Sequence, residues 1–295
     1  MKKIKCSILF SCYNRLDSTL IFLESLQKAI SELENFNFKL LVFDDGDDKT
    51  GQYIKLKFPN IKIDVYNGDG SYYWNGGMRH LMENLKPNKI DFFIFLNDDI
   101  VLKKDSIKTL FSKYFISSQT KKIVSGKFIS KFSNEYTYGV RNLNYQIINK
   151  SEEGFFLNGN LVLFPISVLK DVGLLSDRFC HSLGDWDYGL RLKDKGYKLI
   201  MTENTSGFCE TNPIPSWFDP SINILERVNS FRKTKKMNLK EHYYFNKTHF
   251  GLFQAIKSII AISLNILSPN IYQLIKKHES SYLSRWTWNK DKRRV

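Results

Sequence analysis

The chain of 295 residues alternates short apolar runs with helix-patterned segments, and each run stops at a polar turn. Residues 5–12, 39–43, 61–66 and 90–96 are the first four runs. Apolar stretches of this length, closed by turn residues, read as buried strands. Between them, Leu20, Leu23 and Leu26 recur near helical spacing over residues 19–30, behind Asp17 and Ser18 as capping residues. Polar residues 47–50 open a second helix that Pro59 ends, and residues 78–85 form a third, closed by Pro87. Strand, helix, strand, helix, strand, helix, strand predicts an α/β fold. Its mostly parallel central sheet is flanked by helices through right-handed crossovers. The pattern continues with helix 106–115, strand 122–126, an irregular hairpin-like stretch 131–149 and strand 161–164. Helices 167–172 and 186–195, stopped by Gly173 and Gly196, and strand 197–202 complete it.

Acidic residues collect where such a sheet would hold a ligand. Asp44-Asp45-Gly46-Asp47-Asp48 follows the second run and Asn97-Asp98-Asp99 the fourth, while Gly184-Asp185-Trp186-Asp187 opens a helix. In open α/β sheets, ligands bind outside the carboxyl ends of the strands. On a chain of formal net charge +14, gathered carboxylates call for an explanation. A divalent cation shared with an anionic sugar nucleotide supplies one.

The charge itself implies attraction to polyanions without choosing among nucleic acid, an anionic membrane face and nucleotide diphosphates. Cys6, Cys12, Cys180 and Cys209 show no metal-type spacing, which predicts buried thiols in a reducing, cytoplasmic setting. Residues 4–10 are too short an apolar run for a signal peptide. No stretch is apolar enough for a transmembrane helix; polar residues interrupt the nearest candidate, 251–267. Composition shifts after Pro213. Residues 226–247 hold seven Lys or Arg against two Glu, and 285–295 hold Trp286, Trp288 and five basic residues. We therefore expect two parts, a catalytic domain over 1–212 and a basic, amphipathic helical extension over 213–295. The extension suits peripheral contact with an anionic membrane surface, or packing on the domain or a partner.

Five motifs in order carry a resemblance: Ser11-Cys12-Tyr13-Asn14-Arg15, Val42-Phe43-Asp44-Asp45-Gly46, Leu96-Asn97-Asp98-Asp99, Asn158-Gly159-Asn160-Leu161-Val162 and Gly184-Asp185-Trp186-Asp187. With them the chain resembles the family 2 glycosyltransferases, especially bacterial polysaccharide and rhamnosyltransferase-like members, over about residues 5–202. The resemblance implies the GT-A fold and inverting transfer from a UDP- or dTDP-sugar to a hydroxyl of a growing, sometimes lipid-linked, glycan. It implies Mg²⁺ or Mn²⁺ at Asp99, nucleotide contacts from Asn14, Asp44, Asp45, Arg79, Asn97 and Asp98, and Asp185 as general base. Trp74, Gly76, Gly77, Asn158, Gly159, Asn160, His181, Trp186 and Asp187 would line the substrate pocket. Two positions depart from the family pattern: Asn97 stands where an aspartate is usual, and Gly184 where a glutamate is.

Each role competes with a plainer one. A carboxylate at Asp44 or Asp45 can accept a uracil-type N3–H, or the cluster is a solvated turn in which Asp47 or Asp48 caps the next helix. Asp185 can take a proton from an acceptor hydroxyl, or cap the helix after it. The glycines at 76 and 77 open a helix whose N–H groups can receive phosphate, with Arg79 as a diphosphate partner, or they make an ordinary connection with Trp74 as anchor. Two further functions stay in view. A nucleotidyltransferase would need a glycine-rich loop after the first strand, where Cys12-Tyr13-Asn14-Arg15 has none. A nucleic-acid-binding protein would be opposed by the acidic clusters, so no nucleic-acid partner is expected.

Overall fold

The computed structural model describes residues 3–148, 152–212, 215–234 and 238–276. They form two compact units: one of residues 1–143, 147–180 and 184–211, the other of 144–146, 181–183 and 212 onward.

The first unit is built on a seven-stranded sheet. Its strands are β1 (Ile4–Cys12), β2 (Phe36–Asp44), β3 (Lys62–Asn67), β4 (Phe92–Leu96), β6 (Lys122–Ser125), β9 (Leu161–Pro165) and β10 (Lys198–Met201), in spatial order β10-β6-β9-β4-β1-β2-β3. All pairings are parallel except those of β9, which runs against both β4 and β6. The sheet is thus mostly parallel, as expected, with one reversed strand that local pattern could not reveal. Four short strands, β5 (Val101–Leu102), β7 (Phe128–Ile129), β8 (Tyr136–Tyr138) and β11 (Gly207–Phe208), make a second small sheet. β8 pairs back on β7, which places part of the expected hairpin; residue 149 lies outside the described residues.

Strand alternation divides the core into two layers. Cys6, Ile8, Phe10 and Cys12 of β1 join Leu40, Val42, Ile94 and Leu96 in one cluster, which also buries Phe22, Leu23 and Leu26 of α1 (Leu16–Ile30). Leu9 of β1 joins Leu41, Phe43, Phe93 and Phe95 in the other, under α3 (Tyr73–Glu83) and α6 (Gly184–Asp194). Helices α2 (Thr50–Lys57), α4 (Ser106–Ile116) and α5 (Val168–Asp171) complete the unit. β1 and β4 are neighbours, yet the chain runs outward from β1 through β2 to β3 on one side and restarts at β4 on the other. At such a reversal, open α/β sheets hold ligands outside the carboxyl ends of the strands.

The second unit is helical: α7 (Ile224–Lys233), α8 (Leu239–Phe250), α9 (Leu252–Leu267) and α10 (Pro269–Lys276). Asn223 caps α7 by accepting from the Glu226 N–H at 3.0 Å. Trp217, Phe218, Ile262, Ile266 and Tyr272 form its core. The buried Arg227 donates to the carbonyls of Ile266 (2.8 Å) and Leu267 (3.1 Å), a cation closing the carboxyl end of α9. Among the described residues, no helix is long and apolar enough to cross a membrane.

Candidate active site

The turns after β1 and β4 meet through one cation. Arg15 donates to Asp98 Oδ1 at 2.5 Å and to Asp99 Oδ2 at 3.2 Å. Asp98 is buried, and its second oxygen accepts from the Thr19 hydroxyl at 3.1 Å, while Ser18 donates to its carbonyl. Burial pushes the Asp98 carboxyl up to about 7, with the Arg15 guanidinium pulling the other way. Asp98 thus braces the turn from inside. Asp99 stays exposed beside Arg15. Asn14, expected at the nucleotide, takes φ 48, and its Oδ1 accepts from the N–H groups of Asp47 (2.9 Å) and Asp48 (3.3 Å). It ties the turn after β1 to the turn after β2.

Asp44 and Asp45 are both buried, and their oxygens serve the main chain. Asp44 accepts from Gly51 N–H at 2.7 Å and Gly46 N–H at 3.2 Å, fixing the start of α2. Asp45 accepts from Gly70 N–H and Tyr73 N–H, both at 2.9 Å. The second bond begins α3 at Tyr73, five residues ahead of the expected start at residue 78, because the capping group, Asp45, comes from the distant turn after β2. The glycines of the expected loop therefore sit in the helix. Gly77 is required there: a Cβ would lie 2.8 Å from the Phe43 ring and 3.2 Å from Ser11 Cβ. Gly76 meets only ordinary contact. Arg79 spends its guanidinium on the Leu175 carbonyl (2.5 Å) and on Glu83 (3.2 Å), not on an open crevice.

A second set of bonds carries the crevice toward α6. Trp74 Nε1 donates to Asn97 Oδ1 at 2.7 Å, and Asn97 Nδ2 donates to Asn160 Oδ1 at 2.6 Å. Asn160 reaches on to Cys209 Sγ at 3.4 Å. Asn158 Oδ1 accepts from Asn160 N–H at 3.3 Å. Gly159 N–H donates to Asp185 Oδ2 at 3.3 Å, and Trp186 N–H to Asp185 Oδ1 at 2.9 Å. A Cβ on Gly159 would collide with the Trp74 ring, so the indole packs directly on the glycine backbone. Asp45, Trp74, Asn97, Asn160, Gly159 and Asp185 thus form one series, joined by hydrogen bonds and by the chain steps Tyr73–Trp74 and Gly159–Asn160. Asp185 stands in the first turn of α6, half-buried, where a carboxylate suits the helix dipole.

The other expected pocket residues have interior duties. Trp186 is buried against Phe156, ring centroids 4.7 Å apart. Asp187 is buried and accepts from Arg191 Nε at 2.8 Å; Arg191 also donates to the carbonyls of Val172 and Leu174. His181 belongs to the second unit. Sequence reasoning passed over Arg15 as a site residue, although it sits in the first motif, and over Asn75. The buried Asn75 donates to the carbonyls of Ser176 (2.8 Å) and Phe179 (2.6 Å), fastening α3 to the segment before α6. Two surface hollows of about 550 Å³ lie elsewhere, one along Glu24, Lys28 and Leu102, the other along Ile116, Tyr136 and Met201.

The donor set for a divalent cation is spare. Among the described residues, no three His, Cys, Asp or Glu side chains gather as a metal cage. Asp98 is taken up by Arg15 and Thr19, and Asn97 by Trp74 and Asn160. Asp99 is the exposed carboxylate. One carboxylate is compatible with a Mg²⁺-type ion, which keeps waters and shares substrate phosphates.

A family model described as Glycosyltransferase like family 2 matches residues 7–218. The chain belongs to that family. It is a glycosyltransferase with a GT-A fold, and solved structures agree on the architecture. S. aureus TarS aligns with TM-score 0.57 at 14% identity over 93% of this chain. The glycosyltransferase spans 46% of that TarS chain. It covers 78% of TarS 1–349 in complex with UDP-GlcNAc (TM-score 0.53, 15% identity, 96% of this chain). The mannosyltransferase PcManGT from Pyrobaculum calidifontis, in complex with GDP-Man and Mn²⁺, aligns with TM-score 0.54 at 11% identity over 97% of this chain and 84% of its own. No curated protein matches by sequence.

Proposed function

We propose that this glycosyltransferase moves a sugar, with inversion, from a UDP- or dTDP-sugar to a hydroxyl of a growing surface glycan, free or lipid-linked. The observation that carries this reading is the series from Asp45 through Trp74, Asn97 and Asn160, with Gly159 joined to Asp185. It joins a sheet switch point to a half-buried carboxylate at a helix start. Single displacement needs one base in reach of the acceptor hydroxyl, about 2.6–3.2 Å in the reactive complex. Asp185 takes that role, held by two backbone N–H groups that orient it. Asp99 would hold a divalent cation, which would supply charge neutralisation for the departing diphosphate.

Arg15 adds a fixed positive charge at the same end of the crevice, already oriented by Asp98. Asp44 and Asp45 act on the nucleotide by fixing the backbone of residues 46–51 and 68–73. The Trp74 face and the Asn158-Gly159-Asn160 turn shape the sugar pocket. Residues 213–295 are the basic extension, working at the inner face of an anionic membrane. The complexes of TarS with UDP-GlcNAc and of PcManGT with GDP-Man and Mn²⁺ support a nucleotide-sugar donor.

The test is calorimetric titration of UDP, dTDP and GDP with and without Mn²⁺, repeated on Asp185→Asn. Binding of a uracil or thymine nucleotide, strengthened by Mn²⁺ and unchanged in the variant, is expected. A chain that binds none of the three, or binds DNA instead, overturns the reading.

A further inference from the structure

Helix α9 buries one side and leaves a row of apolar residues exposed on another. At about 100° per residue, Ala255, Ser258, Ile262, Asn265 and Ile266 share one side, and all are buried. Leu252, Phe253, Ile256, Ile260 and Leu267 fall within an arc of about 100° on the other side. All five are exposed, Phe253 by 79% and Ile260 by 54%. Isolated exposed apolar residues are ordinary on a protein surface. A contiguous ridge along four helical turns marks an interaction surface.

The surroundings of the ridge identify its occupant. Residues 213–295 carry fifteen Lys or Arg against five Asp or Glu, most of the excess of the whole chain. Lys257 borders the ridge on α9. Lys240 and Lys247 are exposed on α8, and Arg232 and Lys233 at the end of α7. Of the acids among the described residues of this stretch, Glu241 is buried, Asp219 half-buried and Glu226 exposed. An apolar ridge bordered by Lys257, in a stretch with this excess of positive charge, fits the boundary between anionic headgroups and acyl chains. A second copy of this chain would bring like charges together.

We propose that the α9 ridge docks the glycosyltransferase on an anionic lipid surface, with Phe253, Ile256 and Ile260 entering the acyl boundary. The inference deepens the lipid-linked-acceptor reading, on which it rests for its purpose. Its test does not depend on that reading, because nucleotide titration reads the active site separately.

The experiment is flotation of the full chain with vesicles of phosphatidylcholine alone and of phosphatidylcholine mixed with phosphatidylglycerol. We expect capture by the mixed vesicles, weakened in high salt. The triple variant Phe253→Ser, Ile256→Ser, Ile260→Ser should lose vesicle affinity by at least roughly tenfold, with nucleotide affinity unchanged. Phe253→Trp provides a second readout that does not require the triple variant to fold: the emission of this variant should move to the blue when mixed vesicles are added. Failure of the wild type to float, equal flotation of the triple variant, or an unshifted emission of Phe253→Trp overturns the proposal. So does a wild-type dimer that the triple variant dissolves, which would assign the ridge to a second copy. Loss of nucleotide binding with flotation intact would instead count against the proposed function alone.

Discussion

The acids that end β2 and the acids at Asp99 and Asp185 look alike in the sequence and live differently in the fold. Asp44 and Asp45 are 2% and 3% exposed, and their oxygens hold the backbone at Gly46, Gly51, Gly70 and Tyr73. Asp99 is exposed and Asp185 half-buried at a helix start. The first pair converts charge into shape: each carboxylate freezes a loop that borders the crevice. The second pair keeps part of its surface open to solvent. An acidic cluster at a strand end therefore has two uses, and burial decides between them.

Substitutions can break this division. The largest effect is expected at the reachable acid: Asp185→Asn should lower transfer by about 10²–10⁴-fold and leave the melting temperature and nucleotide affinity near wild type. A steady-state rate with a parallel melt checks it; a rate near wild type contradicts the base assignment. Next comes Gly159→Ala, whose new Cβ collides with the Trp74 ring. Displacing the indole also breaks its bond to Asn97, so activity should fall by roughly tenfold or more with a visible change in Trp fluorescence.

The sealed acids should behave in the opposite way. Asp44→Ala leaves the Gly46 and Gly51 N–H groups without their acceptor and should cost about 1–3 kcal/mol in urea unfolding. A variant that loses rate but keeps full stability would erase the contrast. Asp99→Ala should leave stability unchanged and weaken Mn²⁺-dependent nucleotide binding by about tenfold, read by calorimetry with and without EDTA.

The smallest effect concerns pH. Burial holds the Asp98 carboxyl near 7 in the folded chain, above its ordinary 3.8. The folded state therefore binds this proton more tightly than the unfolded state. The stabilisation is complete below the ordinary value and is lost as pH rises through about 7. Asp98→Asn should remove that slope, so its unfolding midpoint should change less than wild type between about pH 5 and about pH 8. An identical slope in both proteins would show that Asp98 does not titrate in this window.

Much of the fold was legible because it is written in local periodicity. β1, β2 and β4 were expected within a few residues of their bounds, since each is an apolar run closed by polar residues. The motif turns were found for the same reason. The start of α3 lies ahead of the expected one because Tyr73 N–H is held by Asp45, in the turn after β2, while the N-cap position itself is Tyr72, not a capping type. The sequence suggests Arg79 as a diphosphate partner and Trp186 and Asp187 as pocket residues; in the fold Arg79 bonds the Leu175 carbonyl and Glu83, while Trp186 packs on Phe156 and Asp187 pairs with Arg191.

Sequence alone determined the alternation of strands and helices, the strand-end position of the acids and the positive excess of the carboxyl-terminal stretch, because these are properties of neighbours along the chain. Tertiary structure decided which carboxylates are sealed and which are reachable, and that Arg15 bridges two turns. It also decided that Asn97, in place of an aspartate, links Trp74 to Asn160, and that one face of α9 is left exposed. Those outcomes depend on groups far apart in sequence competing for the same hydrogen bonds and the same buried space, and folding settles that competition.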